Sequence, residues 1–257
     1  MQYEQVDLDK KRELEHQKEK HRQKKQLGKR TLLAAFLIVV MIPLTIFLGI
    51  KIGDRQYYFI SLLIIIYTMI PFFMVFEARK PQAREIVVIA VLSGIAVAGR
   101  AAFFWLPQFK PLVAVVIVAA VTFGPESGFL CGAVSGFVSN FFFGQGPWSP
   151  WQMFAFGIVG FLAGILFKKG WLPKKTLPLS IYGLLSTFFI CGPILDTCTL
   201  FTMASVVNKE QALLIYASGV PMNAIHAIAT FLFLLIIAKP MIEKLDRIKV
   251  KYGMLEP

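Results

Sequence analysis

Charge is scarce in this chain: Asp, Glu, Lys and Arg make up only 16% of its 257 residues, against 56% apolar ones. A water-soluble domain carries about 25% charged residues, and uncharged runs of about 20 residues mark membrane spans, so a soluble globular fold is excluded. Cysteine is nearly absent as well. Cys131, Cys191 and Cys198 lie in apolar stretches without C-x-x-C spacing, which excludes a zinc or dithiol site built on them and predicts buried, reduced packing residues. Enzyme motifs are missing: there is no G-x-x-x-x-G-K-[ST], H-E-x-x-H or G-x-S-x-G, so neither ATP hydrolysis nor metal-dependent cleavage is encoded in recognisable form. His16 and His21 suit no common helical face, and no metal or cofactor is expected. The net charge of +12 would raise nucleic acid as a partner, but no basic stripe is interleaved with aromatics, so none is expected.

What the chain has is apolar length. Residues 1–30 form a charged tail with ten Lys/Arg and six Asp/Glu, too polar to bury a core. Eight apolar segments follow, at 31–50, 57–76, 85–105, 111–123, 127–143, 150–168, 178–203 and 211–238. The fold class is therefore an all-α polytopic membrane helical bundle, with the fourth and fifth segments short enough to be kinked or partly re-entrant. Lys and Arg are retained on the cytoplasmic side of a membrane. With both termini inside, eight spans put 22 of the 27 Lys and Arg on that side and leave Lys51, Arg55, Arg100, Lys110 and Lys209 outside. The basic excess thus reports topology in the cell membrane, with anionic lipid as a further attraction.

Several residues stand out against this apolar background. The run 140–152 contains two glycines, two prolines and two tryptophans, and reads as a stiff aromatic loop at the outer surface. It is either an interfacial belt or a wall on a ligand cavity, with Trp148 and Trp151 as flat surfaces and Asn140 and Gln152 as orienting groups. Asp196 follows the helix-disrupting pair Gly192-Pro193 inside the seventh segment, where a carboxylate is costly and normally faces protein, water or ligand. Asn223 and His226 are three residues apart, on one helical face. Arg100 could snorkel to headgroups, pair with Asp196 or meet an anionic ligand group. Ala90, Gly94 and Ala98 form a strip of small residues on which another helix could pack closely.

Residues 82–240 resemble the substrate-binding (S) components of energy-coupling factor (ECF) vitamin transporters. The resemblance rests on six consecutive spans and a first core helix reading Glu85-Ile86-Val87-Val88-Ile89-Ala90-Val91-Leu92-Ser93-Gly94. It also rests on the entry Gly124-Pro125-Glu126-Ser127-Gly128-Phe129 and the helix Gly157-Ile158-Val159-Gly160-Phe161-Leu162-Ala163-Gly164. It implies a non-enzymatic six-helix substrate-binding core over 81–245, preceded by two extra helices over 31–80 and followed by a cytoplasmic tail over 246–257. It further implies a vitamin-type ligand held near the extracellular face and docking on a transmembrane coupling subunit with two ATPase subunits. Ala90, Gly94 and Ala98 match the place of the family's coupling-subunit strip, with glycine where that motif has alanine. The run 143–153 looks like the subgroup linked with cobalamin or related corrinoids, while riboflavin or a queuosine precursor would also suit an aromatic rim. The candidate ligand contacts are Arg100, Asn140, Trp148, Trp151, Gln152, Asp196, Asn223 and His226, beneath a cover formed by 105–110 and 144–150. The rival class is a membrane enzyme acting on lipid or prenyl substrates, with Asp196 and His226 as acid and base.

Overall fold

The computed structural model describes residues 57–78, 82–203 and 207–253, with isolated positions between 36 and 44. The charged tail and nearly all of the first apolar segment lie outside the described residues. The helices are α1 (Tyr57–Ala78), α2 (Ala83–Ala102), α3 (Leu112–Phe123), α4 (Pro125–Phe143), α5 (Trp148–Lys168), α6 (Thr176–Ser186), α7 (Gly192–Met203) and α8 (Lys209–Lys251). No strand occurs among the described residues. Helix α2, helix α5, the continuous run Thr176–Met203 and helix α8 are each long and apolar enough to cross a membrane.

Helix α3 is the axis of the bundle. All twelve of its residues are buried, which explains why so short a helix is uniformly Val, Ala and Ile with no polar face. It ends at Gly124, whose φ of +99° only glycine adopts freely. Pro125 then starts α4 at a position where its missing N–H costs nothing. Helices α4 and α5 pack antiparallel with backbones in contact: a Cβ on Gly132 would lie 2.5 Å from the Phe156 carbonyl carbon, and one on Gly160 would lie 2.6 Å from the Gly128 oxygen. Close backbone approach through small residues is how helices associate where no hydrophobic force separates helix from lipid.

Two expectations about helix breaks are corrected. Gly192-Pro193 does not interrupt the seventh segment; the chain runs through a π-helical turn, Thr187–Cys191, directly into α7. Proline cannot donate, and its ring crowds the carbonyl four residues back, so widening the preceding turn relieves both problems. The aromatic loop is also shorter than its composition implies. Helix α5 begins at Trp148, leaving only 144–147 as connection, because Pro150 falls in the first turn, where a backbone donor has no helical partner. The fourth and fifth segments are both unkinked helices, α3 of 12 residues and α4 of 19, and neither is among the helices long and apolar enough to cross a membrane by length and composition.

Helix α1 is not a loosely attached addition. Phe72 stacks on Phe129 of α4 at 4.1 Å and 8°, and meets Phe161 of α5 edge-on at 4.9 Å. Helix α8 outlasts its apolar stretch, continuing to Lys251, so the expected tail after 245 is helical for two further turns. There Lys249 Nζ donates to the Thr122 carbonyl and Arg84 Nη1 to the Tyr252 carbonyl, both at 2.8 Å. The three cysteines are buried and free.

Candidate functional site

Polar side chains gather at the end of the bundle where α2 stops and α3 starts. Arg100, in the last turn of α2, donates from Nη1 to Ser139 Oγ at 2.6 Å and to Asn140 Oδ1 at 3.0 Å. Its guanidinium lies 4.6 Å from the centre of the Phe143 ring, a favourable cation–π position. Asn140 is 1% exposed and its Nδ2 donates to Ser149 Oγ at 3.1 Å, while Ser149 donates to Gln145 Oε1 at 2.6 Å. One chain of hydrogen bonds therefore ties α2, α4, the 144–147 connection and the start of α5.

The 103–111 connection folds over this end. Phe103 and Phe109 both pack on Phe233 of α8, at 5.1 and 5.5 Å, while Phe104 and Trp105 point outward. A Cβ on Gly99 would lie 2.5 Å from Pro111 Cγ, so the connection is pressed against the end of α2 and Lys110 comes beside Arg100. Lys110 is close enough to Arg100, Cys191 and His226 for its charge to act on each.

Deeper in, three buried side-chain atoms have no partner: Gln152 Oε1, Thr187 Oγ1 and His226 Nε2. Gln152 is one turn before Phe156 on the same face of α5, and the Phe156 ring meets the His226 ring edge-on at 6.3 Å. The α6–α7 run is antiparallel to α8, with Gly192 against Asn223 and Gly183 against Thr230 and Leu234. Thr187 lies between these two contacts along the run. A buried polar atom without a partner costs about 1–3 kcal/mol, and the three lie on α5, the π turn and α8.

Asp196 and Asn223 form a separate pair, Asn223 Nδ2 donating to Asp196 Oδ2 at 2.7 Å. Each faces a glycine on the other's helix: Gly192 lies against the Asn223 amide and Gly219 against the Asp196 carboxylate. This pair joins α7 to α8. Asp196 thus forms no hydrogen bond with Arg100 or His226 among the described residues; its side-chain partner is Asn223. Trp151 is buried against Ile65, Cys198 and Phe201 and packs α5 on α1 and α7. Trp148 is half-exposed, its Nε1 donating to the Gly144 carbonyl at 3.3 Å. Ala90, Gly94 and Ala98 lie on an exposed face of α2, and the space beyond Gly94 is open to 4 Å.

Lys110, Ser139, Ser149 and Thr187 escaped the sequence reading. The sequence held one usable signal: Arg100 and Lys110 are two of only five cations that the expected topology leaves outside, and the Gly99–Pro111 contact brings their segments together.

Residues 80–246 match the family model described as "ECF-type riboflavin transporter, S component". The chain is 29% identical over 160 residues to a UPF0397 protein of Vibrio atlanticus, covering 54% of this chain and 87% of that protein. It is 30% identical over 160 residues to a UPF0397 protein of Vibrio vulnificus, with the same two shares. A UPF0397 protein of Aliivibrio fischeri is 35% identical over 89 residues, 33% of this chain and 48% of the relative. No solved structure matches.

Proposed function

The chain belongs to the ECF-type transporter S-component family, whose members are membrane-embedded substrate-binding subunits rather than enzymes, and on that premise we propose that it captures a vitamin-type molecule at the Arg100 end of the bundle. That end is the extracellular one and both termini are cytoplasmic, since this orientation keeps most Lys and Arg inside. The observation that carries the reading is the set of unpartnered buried atoms, Gln152 Oε1, Thr187 Oγ1 and His226 Nε2, beneath the Arg100–Asn140–Ser149 network. A ligand with donors and acceptors at its edge would satisfy them. The exposed aromatics at this end, Phe104, Trp105, Phe141, Phe142 and Trp148, favour a wide ligand, with a corrinoid such as cobalamin first. Riboflavin is the second reading, favoured by the family description.

Titration of the purified protein by tryptophan fluorescence against cobalamin, cobinamide, riboflavin and a queuosine precursor tests this. Saturable binding of one compound is expected, weakened about 30-fold by His226→Phe, equivalent to about 2 kcal/mol for losing a central anchor. Absence of saturable binding for all four would overturn both named readings.

The open strip Ala90, Gly94 and Ala98 is the proposed docking face for the coupling subunit, which brings two ATPase subunits. Because nothing surrounds Gly94, Gly94→Leu should leave the melting temperature of the isolated protein within about 2 °C, an effect below about 0.5 kcal/mol. Co-purification with the coupling subunit should fall severalfold. Undiminished co-purification would remove this face from the interface.

A further inference from the structure

Arg100 and Lys110 are two cations brought together at the site end of a membrane bundle, and neither forms an ion pair with a described residue. Arg100 uses both protons of Nη1 on Ser139 and Asn140. Its Nε and Nη2 make no hydrogen bond with a described residue, which leaves one edge of the guanidinium fork unused. Lys110 Nζ likewise has no hydrogen-bond partner among them. The charged and titratable groups whose fields couple with Lys110 include Arg100 from α2, Cys191 from the π turn and His226 from α8. Asp196, the carboxylate of the neighbouring α7, is engaged by Asn223. Burial, followed by the repulsion of Arg100, brings the Lys110 ammonium down to about 8.

Arg100 and Lys110 are both half-buried, and two neighbouring cations that have given up part of their hydration repel each other, so a fold keeps them there only with compensation. The protein supplies neutral oxygens and one aromatic face. The missing component is negative charge, and the free Arg100 edge offers the two parallel donors that carboxylate and phosphate oxygens accept.

We propose that Arg100 and Lys110 form an anion subsite, so that the captured micronutrient carries a carboxylate or phosphate ester, which the free edge of Arg100 and the Lys110 ammonium bind together. This rests on the substrate-capture reading and narrows its ligand class: a neutral flavin lacks the group, whereas its phosphate ester or a phosphodiester-bearing corrinoid has it. The Gln152, Thr187 and His226 atoms would then meet the uncharged part of the ligand.

The test uses the full chain in detergent, with thermal unfolding in sodium sulfate against sodium chloride at matched ionic strength, for wild type, Lys110→Met and Lys110→Gln. Sulfate stabilises proteins generally by exclusion from their surface, so the readout is the excess in wild type over the variants. Both variants should melt higher than wild type without sulfate, because an uncompensated charge is gone, and both should lose the sulfate-specific increment. In wild type the apparent sulfate dissociation constant should rise about tenfold from pH 7 to pH 9, following the loss of protonated Lys110, since sulfate keeps its charge over that range. Equal sulfate increments in wild type and variants, or a wild-type response that stays flat up to about pH 11, past the ordinary lysine range, would overturn the anion subsite; the second readout needs no variant to fold. Fluorescence titration with riboflavin and flavin mononucleotide separates the two proposals. Tight riboflavin binding unimproved by the phosphate, with no sulfate response, leaves substrate capture standing and removes the anion subsite. A sulfate response that follows Lys110 while no micronutrient binds keeps the anion subsite and removes the capture reading.

Discussion

Gly160→Leu should abolish the folded protein. The Cβ at this position would sit 2.6 Å from the Gly128 carbonyl oxygen and 2.8 Å from Val116 Cγ1, and a leucine adds three more carbons in the same direction. Gly128 cannot retreat, because a Cβ on it would already overlap Ala120 of α3, and α3 is buried on every side. Flexible side chains can yield to an intruding methyl, but here the obstacles include backbone on one face and the central helix on another. Overpacking costs about 1–3 kcal/mol where neighbours can adjust, and this site belongs at or above the top of that range. Total stabilities of about 5–15 kcal/mol leave little reserve. The expected readout is loss of a monodisperse peak in detergent size exclusion, while Gly94→Leu, with nothing within 4 Å, behaves as wild type. A well-folded Gly160→Leu would mean that α4 and α5 are not in backbone contact.

The difference between these two glycines marks how far the sequence could be read. Apolar run length located α2, α3, α4, α5 and α8 to within a few residues at their starts, because a membrane helix is defined by composition over a fixed thickness. Composition does not say which glycine faces another helix and which faces lipid, so the strip on α2 and the buried strips on α4 and α5 looked alike. Proline was over-read in the same way: Pro150 and Pro193 appeared to break helices, yet one falls in a first turn and the other is absorbed by a π turn.

The site was legible in its rare residues and illegible in its pairings. Arg100 and Asn140 stood out by chemistry, and the fold brings them within hydrogen-bonding distance. Asp196 stood out equally, but it joins two helices through Asn223. Lys110 was read as a loop cation, since nothing in one chain shows that Pro111 packs on Gly99 and carries Lys110 to Arg100.

Asn140 should show the most instructive pair of effects. Asn140→Leu removes the Oδ1 acceptor for Arg100 and the Nδ2 donor to Ser149 in a position that is 1% exposed. Hydrogen bonds to charged groups contribute about 1.5–3 kcal/mol, so a loss of about 2–3 kcal/mol is expected in thermal or chemical unfolding. Asn140→Asp keeps the shape and puts a carboxylate where the amide oxygen was, giving Arg100 the counter-ion it lacks. If the cation pair is uncompensated in the empty protein, this variant should melt at or above wild type although Ser149 must rearrange its bonds. Its sulfate response should shrink at the same time, because the added charge answers Arg100 from within and repels an incoming anion. Stability and anion binding would then move in opposite directions at one residue, as expected where a protein keeps charge unpaired for a ligand. Asn140→Asp as unstable as Asn140→Leu would show instead that the Arg100 charge is already balanced, and that its neighbours hold it for packing alone.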